Sequence, residues 1–255
     1  MKNFRYQQRP KKNTLVIGRD AVIAALQSGK QLDRIYLDAK AQHPLIGDIK
    51  ILAAKNGVPL NYVPKAKLDG FNIEQHEGVV AQIARVQYQN LQDVISWVME
   101  SGEAPLFIIL DGVTDIRNIG GIARTAYCCG VHAIIIPEKG VGALNEDAIL
   151  TSAGALEKIA VCRVNSLMKA VDELHLNGIK VFATEMQATK NIDEVDFTEP
   201  CAIVMGSEDK GIYPALLKIC DEKIKIPMKG DFESLNVSVA TGMILYEAMT
   251  QRMKG

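Results

Sequence analysis

Hydrophobic runs in the first third of the chain are short, and their spacing changes between the helical period and the strand period. Apolar positions three and four residues apart predict two helices, at 20–27 and at 44–57 with a glycine stop. Short apolar runs predict three strands, at 33–38, 58–63 and 78–86. This alternation is typical of a small α/β layer domain, which we assign to residues 14–86.

The second half of the chain carries near-continuous apolar runs, as expected for parallel strands that are buried on both faces. Strands are predicted at 106–111, 133–137, 179–184, 201–206 and 223–227. Helices are predicted between them at 123–130, 147–155 and 212–220, with another helix near the C-terminus. Residues 106–255 are therefore expected to form an open parallel sheet with helices on both faces.

Two segments leave alternatives open. Residues 87–105 are polar at both ends around V-I-S-W-V-M, and we assign them as a linker with one helix or as the first helix of the next domain. In E-S-L-N-V-S-V-A-T-G, residues 233–242, apolar and polar residues alternate like those of a half-buried strand. The residues that follow, M-I-L-Y-E-A-M-T-Q-R-M, have the spacing of a helix.

Composition narrows the functional classes. Hydrophobic residues make up 48% of the 255 residues and charged residues 23%, which is ordinary for a globular protein. No apolar run approaches the roughly 18 residues that a membrane span requires, and the first residues lack the apolar core of a signal peptide. We therefore expect a cytoplasmic protein without a membrane partner.

The distribution of charge is uneven although the net charge is only −1. The first twelve residues contain five Lys or Arg residues and no acidic residue, with Phe4 and Tyr6 between them. Residues 1–13 are thus a basic N-terminal arm that either neutralises phosphates or is a disordered solubilising tail. Charge alone does not separate these alternatives.

Cysteine and histidine do not indicate a metal or nucleophilic site. The five cysteines are odd in number and form no C-x-x-C pair, so buried free thiols are the expected state and no metal is expected. The four histidines are scattered singly, which favours surface or hydrogen-bonded structural positions.

Three segments that follow predicted strands combine glycine with polar residues: 111–126, 205–212 and 226–242. In the first, Asn118 is predicted to cap a helix and Arg124 to lie near the start of that helix. The second lacks the G-K-[ST] ending of a phosphate-binding loop, and no G-x-G-x-x-G follows the first strand of either domain. Nucleotide-binding enzymes of the Rossmann type are therefore disfavoured.

Together, the segments N-I-G-G-I-A-R-T-A, I-V-M-G-S-E-D-K-G-I and I-P-M-K-G-D-F-E-S-L-N-V-S-V-A-T-G-M-I-L-Y-E-A resemble the three motifs of the SpoU/TrmH family. These are RNA ribose 2′-O-methyltransferases of the SPOUT class, and the resemblance covers about residue 106 to the end. The first block, with V-I-G-R-D-A-V-I-A-A-L and H-E-G-V-V-A, resembles the family's L30e-like substrate-binding domain. D-G-V-T-D-I-R-N is most similar to the branch that methylates a guanosine of 23S ribosomal RNA.

The resemblance implies a fold, a partner and a cofactor. The C-terminal parallel sheet should carry a trefoil knot, which fold rules alone would exclude. The chain should act as a homodimer with its site at the two-fold interface, bind ribosomal RNA, and use S-adenosylmethionine as methyl donor. Residues 233–242 should then begin a helix near 234–236 that continues to about Met253, rather than form a strand.

The resemblance also assigns site residues. The catalytic positions are Asn118, Arg124, Glu208, Ser234 and Asn236. The cofactor positions are Thr184, Gly206, Ile226 and Leu235. Because an arginine is effectively always protonated, we expect Arg124 to bind the neighbouring phosphate and steady developing negative charge. Arg19, Lys65, Lys67 and Arg117 are expected to contact phosphates at the mouth.

Two other functions stay open at this point. One is a tRNA guanosine-2′-O-methyltransferase, against which the large N-terminal domain argues. The other is an RNA-binding relative without catalytic activity, against which the presence of Asn118, Arg124, Glu208 and Asn236 argues.

Overall fold

The computed structural model describes residues 14–71, 73, 75–142, 144–230 and 234–254. The predicted basic arm, residues 1–13, lies outside the described residues. The chain divides between Arg85 and Val86 into two compact units. Among the described residues, no helix combines the length and the apolar character needed to cross a bilayer.

The N-terminal unit is a four-stranded mixed sheet with three helices in the described residues. Its elements are β1 (Leu15–Ile17), α1 (Arg19–Gln27), β2 (Leu32–Asp38), α2 (Pro44–Lys55), β3 (Leu60–Val63), α3 (Lys65–Asp69) and β4 (Val79–Ile83). The strand order is β1-β4-β2-β3, in which β4 is antiparallel to both neighbours and β2 is parallel to β3. The predicted helices and strands of this unit are confirmed, and β1 and α3 are additional.

The C-terminal unit contains eight strands, all of whose neighbouring pairs are parallel, in the order β10-β12-β9-β11-β6-β7-β8-β5. The strands are β5 (Tyr88–Gln89), β6 (Leu106–Leu110), β7 (Ala133–Pro137), β8 (Ala160–Val164), β9 (Lys180–Thr184), β10 (Lys190–Asn191), β11 (Cys201–Met205) and β12 (Glu222–Lys225). The helices are α4 (Leu91–Glu100), α5 (Ile116–Cys128), α6 (Glu146–Thr151), α7 (Leu167–Leu176), α8 (Pro214–Ile219) and α9 (Val237–Lys254).

The sheet is covered on both faces because successive side chains of a strand point in opposite directions. In β6, Leu106, Ile108 and Leu110 pack with residues of α5, α6 and α9. Phe107 and Ile109 pack on the other face with residues of α4, α7 and α8. The predicted fold class, a parallel α/β sheet preceded by a small α/β domain, is therefore confirmed; the trefoil knot stays a prediction.

Residues 87–105 belong to the C-terminal unit. Strand β5 pairs with β8, and α4 buries Leu91, Val94, Ile95 and Val98 in the core of this unit. Of the two alternatives for this segment, the structure favours the first helix of the second domain over a linker.

Two helix boundaries bear on the site. Helix α9 begins at Val237, so residues 235–239 are not a strand and the predicted helix is confirmed. Helix α5 begins at Ile116, seven residues before the predicted start, and its cap is Asp115, whose side chain accepts a hydrogen bond from the Arg117 backbone N–H at 2.9 Å. The prediction that Asn118 caps this helix is wrong, and Arg124 lies two turns inside it rather than at its start.

Candidate active site

The loops that follow β6 and β11 are joined where these central strands end. Met205 and Leu110 are paired at the last position of the ladder, so both chains leave the sheet at the same level. The Asp111 N–H donates to the Met205 carbonyl at 2.9 Å, and the Asp111 carboxylate accepts from the Tyr213 N–H at 2.6 Å. Both ends of the 206–213 loop are thus bonded to one aspartate.

Gly206 allows this loop to fold back on itself. The Ser207 N–H donates to the Gly211 carbonyl at 3.1 Å, and the Gly211 N–H returns the bond at 2.9 Å. A Cβ atom on Gly206 would lie 2.3 Å from the Gly211 carbonyl carbon and 2.5 Å from the Ile212 nitrogen. The sequence predicted that Gly206 lets the backbone approach a cofactor; the structure supplies a second reason, which is the closure of the loop itself.

The folded loop presents Glu208 to two asparagines from distant parts of the chain. Glu208 Oε1 accepts from Asn118 Nδ2 at 3.1 Å and from Asn236 Nδ2 at 2.5 Å. It also accepts from the Val237 backbone N–H at 3.3 Å, the first residue of α9. This carboxylate therefore lies at the N-terminus of α9, where an acidic group is favoured.

The Asn236 side chain has no hydrogen-bonding group left for a ligand. Its Nδ2 donates both protons, one to Glu208 and one to Asn118 Oδ1 at 3.0 Å. Its Oδ1 accepts from the Ser238 N–H at 3.0 Å, the Ser238 hydroxyl at 2.5 Å and the Val239 N–H at 3.3 Å. Asn236 thus caps α9 and at the same time fixes Glu208 and Asn118.

Helix α5 can come this close because its glycine pair faces two neighbouring helices. A Cβ on Gly120 would lie 2.7 Å from the Thr151 Cβ of α6, and a Cβ on Gly121 would lie 3.3 Å from the Ser238 Cβ of α9. The close neighbours of this glycine pair are therefore the helices α6 and α9. Asn118 is one turn before Gly121 on the same helix and is thereby brought to the start of α9.

A cavity of about 480 Å³ opens at the carboxyl ends of β9, β11 and β12. We call it the first cavity. The first cavity is lined by all four predicted cofactor residues: Thr184, Gly206, Ile226 and Leu235. Glu208 and Ser234 line it as well. The Thr184 hydroxyl donates to the Val204 carbonyl at 2.9 Å, which orients the side chain at the wall.

Several lining residues of the first cavity were missed by sequence reasoning. They are apolar side chains that enlarge the wall: Met186, Met205, Ile224, Met228 and Ile244. For all of them except Ile244, which lies within α9, a position at or just after a strand end was the available signal, because ligands of open parallel sheets bind there.

A second cavity of about 400 Å³ lies beside the first, between the loops after β6 and β11. Asn118 and Asp209 line it, and the two cavities share Ser207, Glu208, Lys210 and Val237. Glu208 therefore stands where the two cavities adjoin.

Arg124 is not brought to this cluster. It is exposed on α5, lines neither cavity, and has no hydrogen bond or ion pair to any described residue. Arg117, predicted at the mouth, is held by Asp115 through an ion pair of 2.7 Å, which raises the pKa of Arg117. Of the five predicted catalytic residues, the structure gathers Asn118, Glu208, Ser234 and Asn236, and leaves Arg124 apart.

Two of the predicted mouth cations also interact within the N-terminal unit. Arg19 lies 3.5 Å from the Glu77 carboxylate, and its backbone N–H donates to Glu77, which lowers the pKa of that carboxyl. Lys67 lies over the Tyr36 ring at 5.5 Å. That these cations bind phosphate stays a prediction.

The histidines have structural partners, as predicted. His43 caps α2, and His76 accepts from the Gly78 N–H through Nδ1 while Nε2 lies 2.9 Å from Asp69. His132 and His175 are bonded to Glu103 and Asp221. None of the four lines either cavity.

The five cysteines are free. Burial raises the pKa of Cys162 to about 12 and that of Cys201 to about 11, so these thiols stay protonated. Cys128, however, is exposed, which corrects the expectation that all are buried.

Family models match both units. Residues 105–246 match the SpoU rRNA methylase family, and residues 15–89 match a family of RNA 2′-O ribose methyltransferase substrate-binding domains. The chain is a member of the SpoU family. It is 38% identical over 237 residues to Bacillus subtilis YacO, named as a TrmH family tRNA/rRNA methyltransferase; the match covers 93% of this chain and 95% of YacO. A TrmH family protein of Staphylococcus aureus is 35% identical over 240 residues, covering 94% and 97%.

Solved structures of the family share the fold of this SpoU methyltransferase. The SpoU methyltransferase AviRb from Streptomyces viridochromogenes, in complex with AdoMet, matches with a TM-score of 0.60 and 25% identity over 94% of this chain and 91% of AviRb. A TrmH/SpoU tRNA modifying enzyme of A. aeolicus matches with a TM-score of 0.53 and 32% identity. That match covers 64% of this chain and 85% of the A. aeolicus chain.

Proposed function

We propose that this SpoU family methyltransferase uses S-adenosylmethionine to methylate the ribose 2′-oxygen of a guanosine in 23S ribosomal RNA. The observation that carries the proposal is the position of the Asn118–Glu208–Asn236 network between two adjoining cavities. One cavity would take the methyl donor, and the other would take the nucleotide.

The first cavity fits S-adenosylmethionine in size and chemistry. Its volume of about 480 Å³ is within the usual range for small-molecule sites. Its walls offer apolar surface for a nucleobase from Ile226 and Leu235, and polar groups at Thr184 and Ser234. When bound, the donor supplies a methyl group on a positively charged sulfur, and AviRb of the same family was crystallised with it. No metal is required by this chemistry, in keeping with the sequence prediction.

The protein contributes positioning. The network fixes the start of α9 relative to the loop after β11, and residues of both segments line the first cavity. An attacking oxygen, methyl carbon and sulfur must be nearly collinear, so rigid walls on both sides raise the rate. Arg124 would supply positive charge to the phosphate beside the ribose.

A homodimer would bring Arg124 to a site. Helix α9 exposes a single stripe of apolar side chains, Val239, Met243, Tyr246 and Met253, that are 44–78% accessible. The opposite side of the helix is already occupied, because Ile244, Leu245 and Ala248 are buried against the protomer's own sheet. We propose that a second copy covers the stripe and that exposed Arg124 serves the cavities of that second copy.

The N-terminal unit supports the choice of ribosomal over transfer RNA. The unit is matched by a family of RNA 2′-O ribose methyltransferase substrate-binding domains, and the A. aeolicus tRNA modifying enzyme aligns with only 64% of this chain. The additional unit favours a larger RNA. Transfer RNA remains the second candidate, since the named relatives are tRNA/rRNA methyltransferases. The cytoplasm is the compartment where either RNA would be met.

The experiment that tests the function is ribose methylation mapping. Ribosomal and transfer RNA from cells that lack the protein should miss one 2′-O-methylguanosine in 23S RNA, and the purified protein with S-adenosylmethionine should restore it. A missing methyl group in transfer RNA would move the assignment to the second candidate. Unchanged methylation in both RNAs, with no transfer in vitro, would refute the enzymatic function and favour an RNA-binding role.

A further inference from the structure

The two carboxylate oxygens of Glu208 are used unequally. Oε1 accepts all three hydrogen bonds of the network, at 3.1 Å, 2.5 Å and 3.3 Å. Within the described part of the chain, Oε2 has no hydrogen bond or ion pair. A carboxylate can accept hydrogen bonds on both oxygens. The three bonds to Oε1 therefore fix the direction of Oε2, which itself accepts no hydrogen bond from the described residues.

Oε2 belongs to a residue that borders both cavities. Glu208 lines the first cavity together with Thr184 and Leu235, and it lines the second cavity together with Asn118 and Thr114. A ribose oxygen that reaches a methyl group between these cavities must pass beside this side chain. The position is suited to a group that interacts with the reacting hydroxyl.

The other groups of the site are poor proton acceptors. Asn236 has no free polar atom, and Asn118 is a neutral amide. Arg124 is permanently protonated. Glu185, which lines the first cavity, is held by Lys223 at 2.9 Å. Asp115 and Asp209 line the second cavity. Asp115 is held by Arg117 at 2.7 Å, so Asp209 is the remaining rival.

We propose, on the basis of the proposed function, that Glu208 Oε2 accepts the proton of the ribose 2′-hydroxyl during methyl transfer. As the bond between O2′ and the methyl carbon forms and the carbon–sulfur electron pair returns to sulfur, the O–H bond breaks and its proton passes to Oε2. The oxygen becomes positively charged as it is alkylated, so its proton becomes acidic and a carboxylate is a sufficient base. The carboxylic acid then loses its proton to water.

Glu208→Gln separates this role from positioning. The amide oxygen of Gln can keep accepting the three bonds of Oε1, since three donors face it and prevent the amide from turning round. The substitution then replaces only Oε2, and an amide N–H donor takes the place of this acceptor. Glu208→Asp keeps a carboxylate, and Asp209→Asn removes the neighbouring carboxylate as a matched comparison.

The rate of single-turnover methyl transfer should be measured at saturating donor, with RNA from cells that lack the protein as substrate. For each variant, donor affinity is measured by calorimetry, and stability is measured by thermal unfolding. We expect E208Q to be about 100-fold slower or more with donor affinity within threefold of wild type, E208D to be faster than E208Q, and D209N to lose less than E208Q.

A second readout does not depend on turnover. With S-adenosylhomocysteine present, RNA that lacks the 2′-hydroxyl at the target should bind the wild type about threefold to tenfold more weakly than the ribose form, the worth of one hydrogen bond. In E208Q this difference should shrink.

Any of three rate results would overturn the assignment: E208Q within fivefold of the wild-type rate, E208D no faster than E208Q, or D209N slower than E208Q. Loss of donor affinity in E208Q would also overturn it, because Glu208 would then maintain the cavity. A wild-type protein that methylates no RNA would instead refute the proposed function itself.

Discussion

Glu208 and Arg124 come from two motifs of the same predicted site, yet their surroundings are opposite. Glu208 accepts three hydrogen bonds from α5 and the start of α9. Arg124 is exposed and makes no polar contact within the described residues. The Glu208 half of the site is therefore preorganised by the protomer. The Arg124 half depends on a bound molecule for its polar contacts. This difference predicts which substitutions affect the methyl donor and which affect only transfer.

Gly206→Ala should have the largest effect, because it damages the preorganised half directly. A Cβ 2.3 Å from the Gly211 carbonyl carbon forces the loop open, which removes Glu208 from the network and deforms the first cavity. We expect loss of both donor binding and methyl transfer, measured by calorimetry and by transfer to RNA. Gly230→Ala, where a Cβ would contact none of the described residues within 4 Å, is the matched control. Donor binding retained by G206A would contradict the steric argument.

Arg124→Ala should abolish transfer, with a loss of at least about 100-fold for a charge that positions the phosphate beside the reacting ribose. Donor affinity should stay at the wild-type value because Arg124 lines neither cavity. Loss of donor affinity together with activity would show that Arg124 belongs to the preorganised half.

Asn236 allows capping and positioning to be compared at one residue. Asn236→Ala removes both and should lower stability by about 1 kcal/mol and transfer by roughly tenfold. Asn236→Asp keeps an oxygen for the Ser238 and Val239 N–H groups but places a second carboxylate against Glu208. We therefore expect N236D to unfold at a higher temperature than N236A and yet to transfer methyl more slowly. The reverse order of rates would show that capping is the main role of Asn236.

Removal of residues 1–12 should have the smallest effect on chemistry and act on RNA binding alone. Each lost phosphate contact should reduce the slope of log affinity against log salt by about 0.7 to 0.9. Replacing the five cations of this segment by Gln keeps the chain length and should give the same change. An unchanged slope in both variants would identify the segment as a solubilising tail.

The fold was largely predictable because buried parallel strands such as Leu106–Leu110 are continuous apolar runs. The errors have local causes. Gly120 and Gly121 are weak helix formers that obscured the first two turns of α5, and they are explained only by contacts with Thr151 and Ser238. The strand-like alternation at 235–239 is too short to distinguish the two-residue period of a strand from the roughly 3.6-residue period of a helix.

The site was less accessible to sequence reasoning. The residues of the network were assigned by family resemblance, and their bonds span 90, 118 and 28 positions in the chain. No local pattern reveals that Asn236 exhausts its hydrogen bonds while Glu208 keeps one oxygen free. The spacing between Asn118 and Arg124 did not reveal that Arg124 lies away from the network. The reason is that the sequence pattern predicted too late a start for α5.

Helix α9 has a consequence for how the protein matures during synthesis. It follows all the strands of the sheet, and its first turn supplies the last donors to Glu208. Near its other end, the Arg252 guanidinium donates to the carbonyls of Phe197 at 2.7 Å and Pro105 at 3.0 Å, beside the opposite ends of β11 and β6. Contacts of such long sequence separation form late and slowly. A nascent chain on the ribosome therefore has no assembled site until α9 has emerged and docked along the sheet.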